Sequence, residues 1–187
     1  RDRDRSVKDR LGDVDVSVET FKDQVLFERE EILTNQGDPY KVFTYYADKW
    51  KARSKPESVP EVRSFEKTNT VEAGTIPSVE DLGLNRELDD LQWDPGHEAA
   101  LKRWERFRDN ELLEYAEGRE TPYQDGTSRL SPHLRFGTVS PRRLVEDCRN
   151  LRSDPSSEPE SVETFVEELI WRDFYHQVTY NFPRVVG

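Results

Sequence analysis

At 187 residues the chain has room for one domain or one and a half, and its formal net charge of −11, from 39 acidic and 28 basic residues, argues against wholesale electrostatic capture of nucleic acid or of an anionic membrane. The lone Cys148 excludes an intrachain disulfide and a paired-cysteine metal site, and the histidines at 97, 133 and 176 lack ligand spacing, so no metal is expected. No apolar run approaches the ~18 residues of a membrane span.

With no signal peptide visible, the expected location is cytoplasmic. Arginine exceeds lysine 20 to 8, and such an acidic, lysine-poor surface suits a salt-rich cytoplasm. The chain opens on Arg rather than Met, so an internal piece of a longer protein is expected.

Apolar residues concentrate in three blocks, 14–50, 98–118 and 161–186. Residues 1–10 are charged and read as the end of a helix. Asp13-Val14-Asp15-Val16-Ser17-Val18 alternates with period two, the pattern of a strand with one buried face. Val25-Leu26-Phe27 is a second short apolar piece, and Gly37-Asp38-Pro39 is a turn. Phe43, Tyr46, Ala47 and Trp50 fall at helical spacing and predict a helix over 40–53. Residues 1–54 therefore read as the closing portion of an α/β unit. Residues 55–95 carry Pro56, Pro60 and Pro77 among many acids and read as a connector laid over a surface, or as plain disorder.

The helical signal returns at Gly96. Leu101, Trp104, Phe107, Leu112 and Tyr115 predict a helix broken near Asp109-Asn110. Ser140-Pro141 is a cap signature opening a helix over 141–151, and Ser153 to Pro159 is a loop. A last long helix is predicted from Ser161 to about Tyr180, stopped by Pro183. Residues 96–187 thus read as all-α, and the fold class as an α/β tail plus an all-α part.

Two constellations carry chemistry. Gly126-Thr127-Ser128-Arg129-Leu130-Ser131-Pro132 looks suited to a phosphate. Gly126 can take φ > 0, Thr127, Ser128 and Ser131 bring hydroxyls, and Arg129 brings a planar fork of donors. Ser131-Pro132 reads as an N-cap and first helical residue, whose N–H groups and dipole would face the loop. The same residues would also serve as an ordinary capped loop. From Arg119 to Arg143, five arginines stand against Glu120 and Asp125, a basic island of +3 in an acidic chain.

Downstream, Glu168, Trp171, Arg172 and Tyr175 sit at i, i+3, i+4 and i+7 and share one helical face. A carboxylate, two large aromatics and a guanidinium suit the wall of a flat, polar, partly anionic ligand. The opposite face, with Phe165, Val166, Leu169 and Ile170, can bury itself. An aromatic core helix with an internal Glu–Arg pair is the alternative.

With these segments the sequence resembles the DNA photolyase/cryptochrome family. The match rests on Pro39-Tyr40-Lys41-Val42-Phe43-Thr44, on the run Tyr115 to Pro141 around Gly-Thr-Ser-Arg-Leu-Ser-Pro, and on Glu168-Leu169-Ile170-Trp171-Arg172-Asp173-Phe174-Tyr175. It covers essentially the whole chain. The resemblance implies the end of an α/β antenna-type domain over 1–54, an interdomain connector over 55–95, and the first part of a helical FAD-binding domain over 96–187.

It implies FAD as cofactor, with Tyr115, Thr127, Ser128, Arg129, Leu130, Ser131 and Arg172 as its binding residues. An antenna chromophore, folate or deazaflavin, is left undetermined. It implies catalytic Glu168 and Trp171 lining the pocket for a flipped pyrimidine dimer. DNA contacts are implied at Arg119 and at Glu168, Leu169, Ile170, Trp171, Arg172, Asp173, Phe174 and Tyr175. Phe165 departs from the family, which often carries tryptophan there. The implied function is light-driven repair of cyclobutane pyrimidine dimers by electron transfer from reduced FAD, with cryptochrome-like blue-light sensing as the alternative. The implied partner is damaged DNA, for a monomer with no membrane and no protein partner.

Overall fold

Helical spacing governs the architecture. The computed structural model describes residues 2–59, 74–83, 93–121, 123, 125–152 and 159–185. Along the chain come α1 (Asp2–Gly12), α2 (Phe43–Ala52), α3 (His97–Asn110), a 3₁₀ turn (Leu112–Glu114), α4 (Tyr115–Gly118), α5 (Ser131–Phe136), α6 (Pro141–Arg152), α7 (Pro159–Asn181) and a closing 3₁₀ turn (Pro183–Val185). The chain divides into two units: Arg1–Lys55 with Val166–Gly187, and Pro56–Phe165.

In the first unit α2 buries Tyr46, Ala47 and Trp50, the i, i+1 and i+4 positions of its apolar stripe. Leu26 and Ile32 are fully buried, as is Ile170 of α7. Lys51 of α2 pairs with Glu167 of α7 at 3.0 Å. The predicted turn is present. Gly37 takes φ 86°, its N–H reaches Thr34 O at 3.0 Å, and Leu33 and Pro39 form an isolated antiparallel bridge.

The strand expected over 13–18 is not there. Val14 and Val16 both donate backbone N–H groups back to Leu11 O, at 3.2 and 2.9 Å, and Asp15 takes φ 57°. Residues 13–15 are therefore a turn that ends α1, and Val14 and Val16 are exposed. Alternation alone does not make a strand. It needs a ladder partner, and among the described residues none pairs with this segment.

The second unit is built on aromatic packing. Trp104 and Phe107 of α3, Tyr115 of α4 and Phe165 of α7 form one cluster. Trp104 lies nearly parallel to Phe165 at 5.5 Å, and Tyr115 meets Phe165 edge-on at 5.5 Å. The fully buried Trp104 keeps its indole N–H satisfied by donating to Asp147 Oδ2 at 2.7 Å. Asp147 in turn pairs with Arg143 one turn earlier on α6, at 3.1 Å. Leu144, Val145 and Cys148 complete the buried face of α6.

The break expected near Asp109-Asn110 is real. α3 ends at Asn110, and the Glu111 N–H closes its last turn on Phe107 O at 2.9 Å before the 3₁₀ turn begins. Helix α7 starts at Pro159, two residues ahead of the predicted start. Of the connector over 55–95, much lies outside the described residues, as do 153–158 of the expected loop. Within the connector, Ser78 and Asp81 cap one turn reciprocally, with Asp81 Oδ2 accepting from Ser78 N at 2.9 Å and Asp81 N donating to Ser78 Oγ at 3.1 Å.

Candidate cofactor cradle and nucleic-acid face

The first cluster lies in the second unit, where the loop 125–131 passes against the end of α4. A Cβ on Gly126 would lie 2.6 Å from Gly118 O and 2.7 Å from Gly118 C. Glycine is thus required by close backbone approach. The residue in the left-handed region is instead Arg129, at φ 51°, a conformation that costs a non-glycine residue about 1 kcal/mol or more.

Arg103 of α3 holds this turn from outside. Its Nε donates to Ser128 O and its Nη2 to Thr127 O, both at 2.9 Å. Arg129 Nε donates to Asp125 Oδ1 at 2.5 Å, and Arg103 Nη2 lies 3.6 Å from the same oxygen. The hydrogen bond from Arg129, helped by the charges of Arg103, Arg129 and Arg106, holds the Asp125 carboxyl below the usual carboxylate range.

Thr127 and Ser131 are exposed, and Ser128 is half-buried with its Oγ accepting weakly from Leu130 N at 3.4 Å. Leu130 is buried. The helix begins at Ser131, the predicted cap, one residue earlier than expected. Leu130 occupies the N-cap, with its carbonyl accepting from Leu134 N at 2.8 Å, and Ser131 with Pro132 forms the first turn. Proline there lacks a donor that the first turn leaves unused anyway, so the start slides by a residue without loss. Tyr115 is buried edge-on to Phe107 and Phe165, and the Arg119 guanidinium stands 5.6 Å from its ring centroid.

The second cluster lies in the first unit, on the C-terminal part of α7. Glu168, Trp171 and Arg172 are half-buried and Tyr175 is exposed. The Trp171 ring lies flat on Phe43 of α2, 3.5 Å between centroids and 4° from parallel, and is near-parallel to Tyr175 at 5.4 Å. Arg172 Nη1 donates to Gln24 O, and burial draws its guanidinium pKa down.

Leu169, Ile170, Asp173 and Phe174 are buried on the other side of the helix. Asp173, fully buried, accepts with Oδ2 from Leu26 N (3.1 Å), Phe27 N (3.3 Å) and Trp50 Nε1 (3.2 Å). Burial pushes its carboxyl up to about 6 despite these donors, and its Oδ1 is buried with no hydrogen-bond partner among the described residues. One turn on, Gln177 Nε2 donates to Tyr46 Oη at 3.2 Å.

Sequence reasoning overlooked Arg103 and Asp125, and the part Phe43 and Asp173 play in backing the α7 face. Asp125 stands four residues before Arg129, a spacing that could have flagged the pair. Nothing local distinguishes Arg103 from the other arginines of α3.

The residues present fit a flavin's diphosphate. Three hydroxyl residues and Arg129 lie on one short loop that Arg103 grips by its carbonyls, and the close Gly118–Gly126 approach puts backbone against backbone at its start. Among the described residues, no cluster of three His, Cys, Asp or Glu could hold a metal ion, and no helix is long and apolar enough to cross a membrane.

The DNA photolyase family model matches residues 1–77. The deoxyribodipyrimidine photo-lyase of Halobacterium salinarum is 38% identical over 192 residues, covering 100% of this chain and 40% of that protein. Cryptochrome-2 of Arabidopsis thaliana is 31% identical, over 97% of this chain and 32% of that protein. Among solved structures, a bacterial class III photolyase from Agrobacterium tumefaciens superposes with a TM-score of 0.78 at 26% identity, over 97% of this chain and 38% of that one. The chain spans 40% or less of the length of each of these relatives. The family model thus matches the first 77 residues, and over its whole length the chain is similar to DNA photolyases and to a cryptochrome.

Proposed function

We propose that the chain serves light-driven repair of cyclobutane pyrimidine dimers in DNA, with FAD as cofactor. On this reading residues 1–54 close an α/β antenna-type domain, 55–95 connect, and 96–187 open the helical flavin domain. The observation that carries it is the α7 face, where the Glu168 carboxylate stands one turn from an indole already backed by Phe43. A carboxylate offers acceptors to the N–H edges of extruded bases, and a braced aromatic plane offers them a stacking surface.

Thr127, Ser128, Arg129 and Ser131 would hold the flavin diphosphate, with Leu130 and Tyr115 beneath them. The bound flavin, once reduced and lit, would supply the electron that opens the dimer. The chain's own work is to bind and orient. Trp171 takes the place of a lost stacking neighbour, Glu168 fixes the bases, and Arg119, Arg172 and Tyr175 meet the strand. Leu169, Ile170, Asp173 and Phe174 set the face from behind. Extrusion costs least for a damaged, poorly stacked base, which gives the lesion its advantage over intact sequence.

The test is blue-light irradiation of the flavin-loaded protein with a dimer-containing oligonucleotide under reducing conditions. Repair is expected, and flavin loading without repair would refute the reading. Similarity to cryptochrome-2 favours one other reading, blue-light sensing. It predicts flavin photoreduction with no preference for dimer-containing over intact DNA.

A further inference from the structure

We infer that Asp125 is a resident anion of the cradle, holding the place of a phosphate on Arg129 until a diphosphate-bearing ligand displaces it. The inference rests on the cradle reading above and deepens it. Three arginines, 103, 106 and 129, bear electrostatically on this one carboxylate. Their roles differ. Arg103 is only 18% exposed at its side chain and spends its Nε and Nη2 on two loop carbonyls, so it is fixed in place with or without an anion. Arg129 is 52% exposed, sits on a strained left-handed backbone, and donates its Nε to Asp125 at 2.5 Å. Its planar fork retains further donors for an incoming phosphate.

The Asp125 side chain is 45% exposed, so its bond to Arg129 can be exchanged for another anion with little rearrangement. A carboxylate and a phosphate oxygen satisfy a guanidinium in the same way, and they compete for it. Asp125 then does two things. It keeps Arg129 preset in the absence of ligand, and it sets a threshold that a lone weak anion does not pass but a diphosphate does. Arg103 is a positioning residue, since by gripping the Thr127 and Ser128 carbonyls it fixes the side of the turn that their hydroxyls present.

The test measures binding of inorganic pyrophosphate, and separately of FAD, to the 187-residue chain by calorimetry. Asp125→Asn keeps the shape and removes the charge, and should bind pyrophosphate about two- to fivefold tighter than wild type, the worth of one exposed ion pair. Arg129→Gln and Arg103→Gln should bind more weakly. The gain from Asp125→Asn should vanish in the Arg129→Gln background, because it acts through that guanidinium.

A merely structural Asp125 would give loss rather than gain. Binding by wild type with equal or weaker binding by Asp125→Asn therefore overturns this inference and leaves the cradle standing. Absence of both pyrophosphate and FAD binding in wild type and in Asp125→Asn overturns the cradle and the inference together. Circular dichroism of Asp125→Asn and of Asp125→Ser guards the fold. Collapse of both variants would make Asp125 a structural residue and would also overturn the inference.

Discussion

Asp173 offers the sharpest handle on what holds the α7 face. Three donors on one oxygen would ordinarily lower a carboxyl pKa, yet complete burial outweighs them and raises it from 3.8 to about 6. An unfolded chain releases this proton near 3.8, and the folded chain only near 6. Between those values the folded state binds more protons, so this group's contribution is fully present below the lower value and is lost as pH rises through the upper one. At about 1.4 kcal/mol per unit, the loss comes to ~3 kcal/mol.

Asp173→Asn keeps an oxygen for the three donors and carries no titratable proton. The stability difference between wild type and Asp173→Asn should therefore tilt by ~3 kcal/mol across that window, wild type gaining on the acid side. Other carboxylates titrate in the same range, but they do so in both proteins and cancel in the difference. Asp173→Ala should lose ~3 kcal/mol or more at every pH, because it leaves the Leu26 and Phe27 N–H groups and the Trp50 indole N–H buried without an acceptor. The assay is urea unfolding at a series of pH values, followed by tryptophan fluorescence. Parallel stability curves for wild type and Asp173→Asn would refute the reasoning.

Three further outcomes are expected. Gly126→Ala should destabilise by ~1–3 kcal/mol, since the added methyl meets Gly118 backbone atoms at 2.6 to 2.9 Å; Gly118→Ala, whose nearest neighbour would be at 3.3 Å, should cost less, and equal melting temperatures for the two would contradict the close approach. Trp171→Ala should cost ~2–3 kcal/mol through the lost stack on Phe43, and Phe43→Ala made in the Trp171→Ala background should cost clearly less than in wild type, which a double-mutant cycle in urea measures. The Cys148 thiol, buried and pushed up to about 12, should react with Ellman's reagent only as fast as the chain opens, and rapid reaction in native buffer would show the α6 face to be loose.

The helices were legible where a stripe of large residues repeats at helical spacing, as in α2 and α3, because burial of that stripe alone decides the element. The segment 13–18 was misread because a strand is a property of two segments, and the alternation of Val14, Val16 and Val18 says nothing about a partner. The residues of the candidate cradle could be named from composition, as hydroxyls and arginine, but the contacts among them could not. Gly126 reads as a φ > 0 residue, whereas the structure spends it on the Gly118 contact and puts Arg129 in the left-handed region. Arg103, and the structural part of an Asp173 named only as a DNA contact, were missed for one reason. Each acts on backbone groups 24 or more residues away in sequence, and backbone acceptors and donors leave no mark on residue type.

The basic island of the sequence is neutralised more than its count suggests. Arg129 faces Asp125, Arg143 faces Asp147 and Arg119 faces Glu120, each within 3.5 Å. These arginines are engaged before any nucleic acid arrives, and the chain around them is acidic. Binding that releases few counterions depends only weakly on salt. On the repair reading, affinity for damaged DNA must then come chiefly from what the α7 face offers an extruded base, a braced indole and a carboxylate, rather than from charge. That makes the brace itself decisive. Phe43 holds the indole flat from behind, Asp173 ties the 26–27 backbone and Trp50 to the same helix, and both act without touching the solvent side of the face.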